Sequence, residues 1–85
     1  MYNSHMVIQK RKSAVTEKLL RRFGDRVIAL RNEREWSQKH LAGTAGVDQG
    51  YISRIESGQT EPCLVSLAVL AKAFGLGLAE LLKGV

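Results

Sequence analysis

The sequence predicts an all-α fold, a compact domain of five short helices with no sheet. Three observations carry this expectation. Apolar residues recur at three- and four-residue steps along most of the chain. No stretch alternates apolar and polar residues as a half-buried strand would, and the β-branched residues are scattered among good helix formers. Gly46, Gly58 and Gly75 punctuate the pattern at short intervals, each able to take the positive φ that ends a helix.

The first helix is expected over about 16–35, where Leu19, Leu20, Phe23, Val27, Leu30 and Arg31 share one face. Gly24 weakens its middle, so its first part is expected as a separate or frayed turn. Ser37 then reads as an N-cap for a helix over about 38–45, behind the apolar Trp36. In "LAGTAGVDQGYISRIESG" (41–58) the pattern breaks at Gly46 and restarts behind Asp48, read as the cap of a third helix over about 49–57 that Gly58 stops. Two short helices joined so tightly must cross steeply. "QTEPC" is a loop, with Glu61 pushed to extended backbone by Pro62. A fourth helix, from about Cys63 to Phe74, is expected to bury Leu64, Leu67, Leu70 and Ala71, and Gly75 ends it. A fifth, about 78–83, presents Leu78, Leu81 and Leu82.

Composition narrows the class. The 85 residues suffice for one small domain, 45% hydrophobic and 25% charged. A domain of this size buries only about 60% of its unfolded surface, so an oligomeric partner would help stability. Its longest apolar stretch meets Lys72, Gly75 and Gly77, far short of the roughly 20 residues that span a bilayer. The basic residues near the start lead into Glu17, Lys18, Arg21 and Arg22 rather than an apolar signal region. One cysteine permits no internal disulfide. A cytoplasmic protein with no membrane partner is the simplest reading.

The formal charge of +5 is unevenly placed. Residues 1–26 hold Lys10, Arg11, Lys12, Lys18, Arg21, Arg22 and Arg26 against only Glu17 and Asp25, whereas bases and acids balance over 27–85. The expected organisation is therefore a basic leader over 1–22 and a compact domain over 23–85. Residues 1–6 ("MYNSHM") read in part as a vector-derived tag, with Met6 as the native start. A basic leader suits a polyanion partner, and equally a solvated tail or a helical extension packed against a dimer partner.

The motif from Leu30-Arg31 onward carries a family resemblance. Ser37-Gln38, Leu41-Ala42, Ala45-Gly46-Val47, Ile52-Ser53, Ile55-Glu56-Ser57-Gly58, Pro62 and the Leu-rich fourth helix follow in order. Over about residues 23–82 the chain resembles the Cro/lambda-repressor-type, Xre-like helix-turn-helix regulators. Each feature alone is weak; together they are specific. The resemblance implies that the third helix enters the DNA major groove while the second crosses the backbone, which explains the break at Gly46.

Residue roles follow from that resemblance position by position. Gln49, Gly50, Tyr51, Ser53 and Arg54 are implied to face the bases. Gln49 can pair with adenine, and Arg54 with the O6/N7 edge of guanine. Tyr51 could donate to phosphate or pack on a thymine methyl, and Gly50 permits close approach. Gln38 matches the family's phosphate clamp, Ser37 and Lys39 flank it, and Ser57 and Gln59 are weaker phosphate candidates. Arg31 and Glu56 match an internal ion pair that ties the first helix to the third. Trp36 reads as core, His40 as facing solvent or a phosphate, and Cys63 as a helix-start residue.

Enzymatic readings fit poorly. The histidines and the cysteine, at 5, 40 and 63, make no zinc site, so no metal or cofactor is expected. "GLG" at 75–77 lacks the preceding strand of a dinucleotide loop. No coupled nucleophile and base is present, and the chain is read as a non-enzyme. The expectation is a transcriptional regulator that binds double-stranded DNA, with RNA polymerase as a further partner. With no segment after the fifth helix to sense a ligand or dimerise separately, the domain is expected to form a homodimer through itself. Leu76, Leu78, Leu81, Leu82 and Val85 would form the interface, because the leucines of helix five cannot all enter one small core. That economy resembles the small controller proteins of restriction–modification systems and short phage Cro-like repressors. An antitoxin or other protein-binding module on the same fold is the alternative.

Overall fold

A computed structural model describes residues 13–85 of the chain. Lys10, Arg11 and Lys12 lie outside the described residues. The order is α1 (Ala14–Glu33), α2 (Gln38–Ala45), α3 (Gln49–Glu56), α4 (Leu64–Phe74) and α5 (Leu78–Leu81). No strand occurs among the described residues, so the fold class is all-α. None of their helices is long and apolar enough to cross a membrane.

Helix α1 is one continuous helix, not a core helix with a frayed extension. Ser13 starts it, its hydroxyl accepting from the Thr16 N–H at 3.1 Å, with Glu17 in the first turn where the helix dipole favours an acid. The boundary expected between residues 22 and 23 therefore falls inside α1. Gly24 is buried rather than a weak point. A Cβ there would stand 2.7 Å from the Ile55 carbonyl oxygen and 2.6 Å from that of Glu56. Only glycine lets the backbones of α1 and α3 meet so closely.

The turns around α2 and α3 obey capping rules with one exception. The Ser37 hydroxyl accepts from the His40 N–H at 2.9 Å, and Gly46, at φ 74°, closes α2 with its N–H on the Ala42 carbonyl. Val47 donates to that same carbonyl. Asp48 has the extended backbone of an N-cap, but its carboxylate makes no capping hydrogen bond. The cap there is conformational, and the N–H groups opening α3 remain free of that side chain.

The core draws on every helix: Phe23, Val27 and Leu30 of α1, Leu41 and Ala42 of α2, Ile52 and Ile55 of α3, Leu70, Ala71 and Phe74 of α4, and Leu81 of α5. Trp36 packs against it partly buried, its ring stacked on Phe74 at 5.8 Å. Three expectations need correction. Leu64 is 68% exposed, because α4 turns Leu70, Ala71 and Phe74 inward and leaves its first turn outside. Leu19, at 49% exposed, lies beyond the part of α1 that the other helices cover. Leu81, expected at an interface, is fully buried. Helix α5 is a single turn, shorter than expected, and Leu78 and Leu82 are the half-buried members of its set.

Two arginines close the short helices. Arg26 donates from Nη2 to the Glu80 carbonyl at 2.7 Å and from Nε to that of Leu81 at 3.0 Å, meeting the negative end of α5. Arg34 does the same at the end of α4, Nη2 donating to the Phe74 carbonyl at 2.9 Å while its guanidinium lies 4.9 Å from the Phe74 ring centre. Gly24→Ala is expected to force α1 off α3 and destabilise the fold by about 1–3 kcal/mol or more, the usual cost of overpacking. Urea melts check it; an unchanged midpoint would mean that the two helices separate freely.

Candidate nucleic-acid interface

The first and last residues of the helix-turn-helix unit meet at one buried carboxylate. Glu56, the last residue of α3, is 6% exposed. Arg31 grips it through two bonds, Nε to Oε2 at 2.7 Å and Nη2 to Oε1 at 3.0 Å. Gln38, the first residue of α2, donates from Nε2 to Oε1 at 2.9 Å. Arg31 also donates from Nη1 to the Trp36 carbonyl at 2.9 Å, so the α1–α2 connection is held by the same guanidinium. The hydrogen bond to Glu56 is the largest influence on Arg31 and raises its pKa. Among the described residues no buried side-chain polar atom lacks a partner.

Burial sorts α3 into two faces. Ile52, Ile55 and Glu56 point inward, whereas Gln49, Gly50, Ser53 and Arg54 are exposed and share one stripe at helical spacing. Tyr51 is half-buried and packs against the core. A Cβ on Gly50 would meet Arg54 Nη1 at 3.4 Å, so that guanidinium lies back along the helix over the glycine. Ser37 and Lys39 are exposed at the start of α2, beside a shallow hollow they line with His40, Gly43 and Thr44. The N–H groups opening α2 add the partial positive charge that favours an anion there.

Two implied phosphate ligands have other occupations. Gln38 spends an amide proton on Glu56, which leaves its carbonyl and one proton for any further partner. Ser57 turns its only hydroxyl proton back onto the Ser53 carbonyl at 3.0 Å, so it offers no donor outward. Gln59 is exposed, with its backbone N–H on the Arg54 carbonyl at 2.8 Å. The structure adds a neighbour that sequence reasoning missed. Gly58, at φ 75°, would place a Cβ 3.6 Å from the Arg21 Cα, so α1 runs directly beside the loop that follows α3. Cys63 is the exposed N-cap of α4; its thiol pKa is lowered chiefly by the hydrogen bond with Ser66. No cluster of metal-ligating side chains occurs among the described residues.

A helix-turn-helix family model matches residues 27–81. The chain belongs to the Xre-like helix-turn-helix family. This helix-turn-helix protein is 39% identical over 61 residues to the HTH-type transcriptional regulator DdrOP3 of Deinococcus deserti, a match covering 72% of the chain and 47% of that protein. The chain thus spans about half the length of that relative. It is 33% identical over 58 residues to the uncharacterized HTH-type transcriptional regulator y4dJ of Sinorhizobium fredii, covering 68% of the chain and 75% of that protein. Among solved structures it is similar to the restriction–modification controller protein C.AhdI of Aeromonas hydrophila, with TM-score 0.71 and 37% identity over 73% of this chain and 94% of that one. The fold is therefore that of a DNA-binding transcriptional regulator.

Glu56→Ala leaves Arg31 and Gln38 without their shared acceptor and is expected to destabilise by about 3 kcal/mol, the low end for a broken buried pair because the Arg31 side chain keeps 15% exposure. Urea melts of Glu56→Ala, Arg31→Ala and the double variant measure the coupling. Two near-neutral single variants would show the network to be dispensable.

Proposed function

We propose that the chain binds a palindromic DNA operator as a homodimer, with α3 of each protomer in the major groove. The observation that supports this reading is the exposed stripe Gln49, Gly50, Ser53 and Arg54, on a helix whose other face is locked into the core. Gln49 and Arg54 are the base-reading side chains by chemistry. Each can present two hydrogen-bonding groups in the plane of a base edge. Gly50 keeps the helix surface low enough for Arg54 to lie along it. Tyr51, leaning on the core, serves at the groove wall. Ser37, Lys39, Gln59 and the free N–H groups of α2 hold phosphates, and Gln38 joins them through its remaining proton. The alternative of a protein-gripping module rested on exposed leucines in the fifth helix, and the burial of Leu81 removes one of them.

Selection of bound sites from random duplexes tests the reading directly. A two-fold consensus is expected, and a site with no internal symmetry would sink the homodimer. Arg54→Ala should weaken the best site by about 1–3 kcal/mol and relax one base pair per half-site. Lys39→Ala should weaken all sequences about equally. An unchanged consensus with Arg54→Ala would show that another side chain reads the groove.

The described part of the basic leader enters through Arg21, the cation whose backbone stands beside Gly58 and hence beside Gln59. If its guanidinium reaches phosphate, Arg21→Ala should flatten the slope of log K against log[salt] by about 2 per dimer without altering the consensus. An unchanged slope would leave Arg21 in solvent.

A further inference from the structure

Several glycines of the fold have a local reason. Gly24 admits the backbone of α3, and Gly46, Gly58 and Gly75 sit at positive φ. Gly43 and Gly50 have neither reason. Both lie inside helices, outside the left-handed region, with no backbone of another element against them. Glycine weakens a helix relative to alanine, so neither position serves the fold. Gly43 has nothing within 4 Å of the place of a Cβ, whereas Gly50 has one neighbour, Arg54 Nη1 at 3.4 Å. What Gly50 leaves empty is thus taken up by one guanidinium.

The direction of that side chain is informative. Arg54 is the basic residue in the last turn of α3, where the helix dipole would draw a cation toward the C-terminal carbonyls. It runs the other way, back over residue 50. Helical side chains lean toward the N-terminus, and above a glycine nothing stands in the way. Among the described residues Arg54 is in no ion pair, so its charge stays available at the surface. We propose that Gly50 sets the sequence preference of α3 through its missing side chain. It seats the Arg54 guanidinium one turn nearer the start of the helix, so that Arg54 reads the base pair next to the one read by Gln49.

Gln49 directly precedes Gly50 on the exposed face of α3. With the guanidinium at the level of residue 50, the two bidentate heads stand side by side. A head kept beside the Arg54 Cα would lie about 7.5 Å beyond Gln49 along the helix, the rise of five residues. That is some two base-pair steps of about 3.4 Å each. Alanine at position 50 would make only ordinary contact with the guanidinium, but any side chain with atoms beyond Cβ would take its place. Gly50 is therefore a positioning residue that reads no base itself. The inference rests on the operator reading and brings its two bidentate contacts onto one dinucleotide step.

Selection of bound duplexes by the full chain and its variants tests this, with urea melts to confirm folding. Gln49→Ala and Arg54→Ala should relax two adjacent base pairs of each half-site, each losing discrimination by roughly 5- to 150-fold. Gly50→Ala should keep both preferences. Gly50→Leu places a better helix former at an exposed position, so its urea midpoint should hold or rise. It should nevertheless lose the Arg54 preference as fully as Arg54→Ala does, and keep that of Gln49. Once Arg54→Ala is present, adding Gly50→Leu should change affinity by no more than about threefold, because no guanidinium remains to displace. An equal loss in both backgrounds would mean that the leucine strikes the DNA itself, and would overturn the positioning role. A folded Gly50→Leu with the parent consensus would overturn it too, while a two-fold consensus left the operator reading standing. Should Gly50→Leu not fold, the spacing still decides: relaxed pairs two or more steps apart would sink the proposal. A parent chain that selects no sequence would remove the operator reading and this inference together.

Discussion

The carboxylate of Glu56 is the constraint on which the rest of the arrangement depends. A buried carboxylate is costly unless its oxygens are fully engaged. Here three N–H donors from two side chains meet it: two from Arg31 and one from Gln38. Each donor belongs to a different helix from the acceptor. The angle between α2 and α3 cannot drift without breaking the Gln38 bond, and α1 cannot slide without breaking both bonds from Arg31. The same guanidinium also holds the Trp36 carbonyl, one residue ahead of the α2 cap. One charged cluster thus fixes both the start of the helix that would cross the DNA backbone and the end of the helix that would enter the groove.

That cluster works only because the backbones behind it are close. Gly24 costs α1 about 1 kcal/mol of helix propensity relative to alanine. In return it lets α1 rest against the last carbonyls of α3, one of them belonging to Glu56 itself. Arg31 lies seven residues further along α1, two helical turns on, and so approaches the same end of α3 from a fixed base. Gly58 sits one turn earlier along α1, beside Leu20 and Arg21, but there a Cβ would make only ordinary contacts; what favours glycine is its φ of 75°. The steric minimum at position 24 and the electrostatic bond at 31 therefore belong to one joint.

Much of this was legible in the sequence where a local rule acts alone. Ser37, Gly46 and Gly75 mark helix ends because capping depends on a few neighbouring residues. The outward stripe of α3 was legible too, since its apolar residues alternate with polar ones at helical period. Legibility fails where contrast or distance intervenes. Helix α4 is apolar almost all round, so periodicity cannot fix which arc meets the core, and it does not reveal that Leu64 lies outside. Leu81 turns into the core, and its carbonyl accepts from Arg26, a partner far away in sequence. Ser57 is a phosphate candidate by family position alone, and sequence does not show that the nearby Ser53 carbonyl accepts its hydroxyl proton. Gly24 misleads for a further reason, since a helix interior penalises glycine unless another backbone needs the space. A buried glycine among Phe23, Val27 and Leu30 is the clue that a close crossing lies there.

Charge and shape divide the molecule along α1. Its inward stripe, through Gly24 and Arg31, serves the joint with α3; its outer stripe, through Val15, Leu19 and Arg22, carries unpartnered apolar surface. Because residues 27–85 are formally neutral, attraction to a polyanion cannot come from the net charge of the helix-turn-helix core. Within that core it would come from local fields: the free N–H groups opening α2, and single cations such as Lys39 and Arg54 held at the surface. Local fields act only over about a Debye length, roughly 8–10 Å at physiological salt, so they reward correct docking more than mere proximity. A neutral core with a rigid recognition helix therefore favours discrimination over general adhesion. Under the proposed reading, the cations ahead of residue 27 would supply the sequence-independent part.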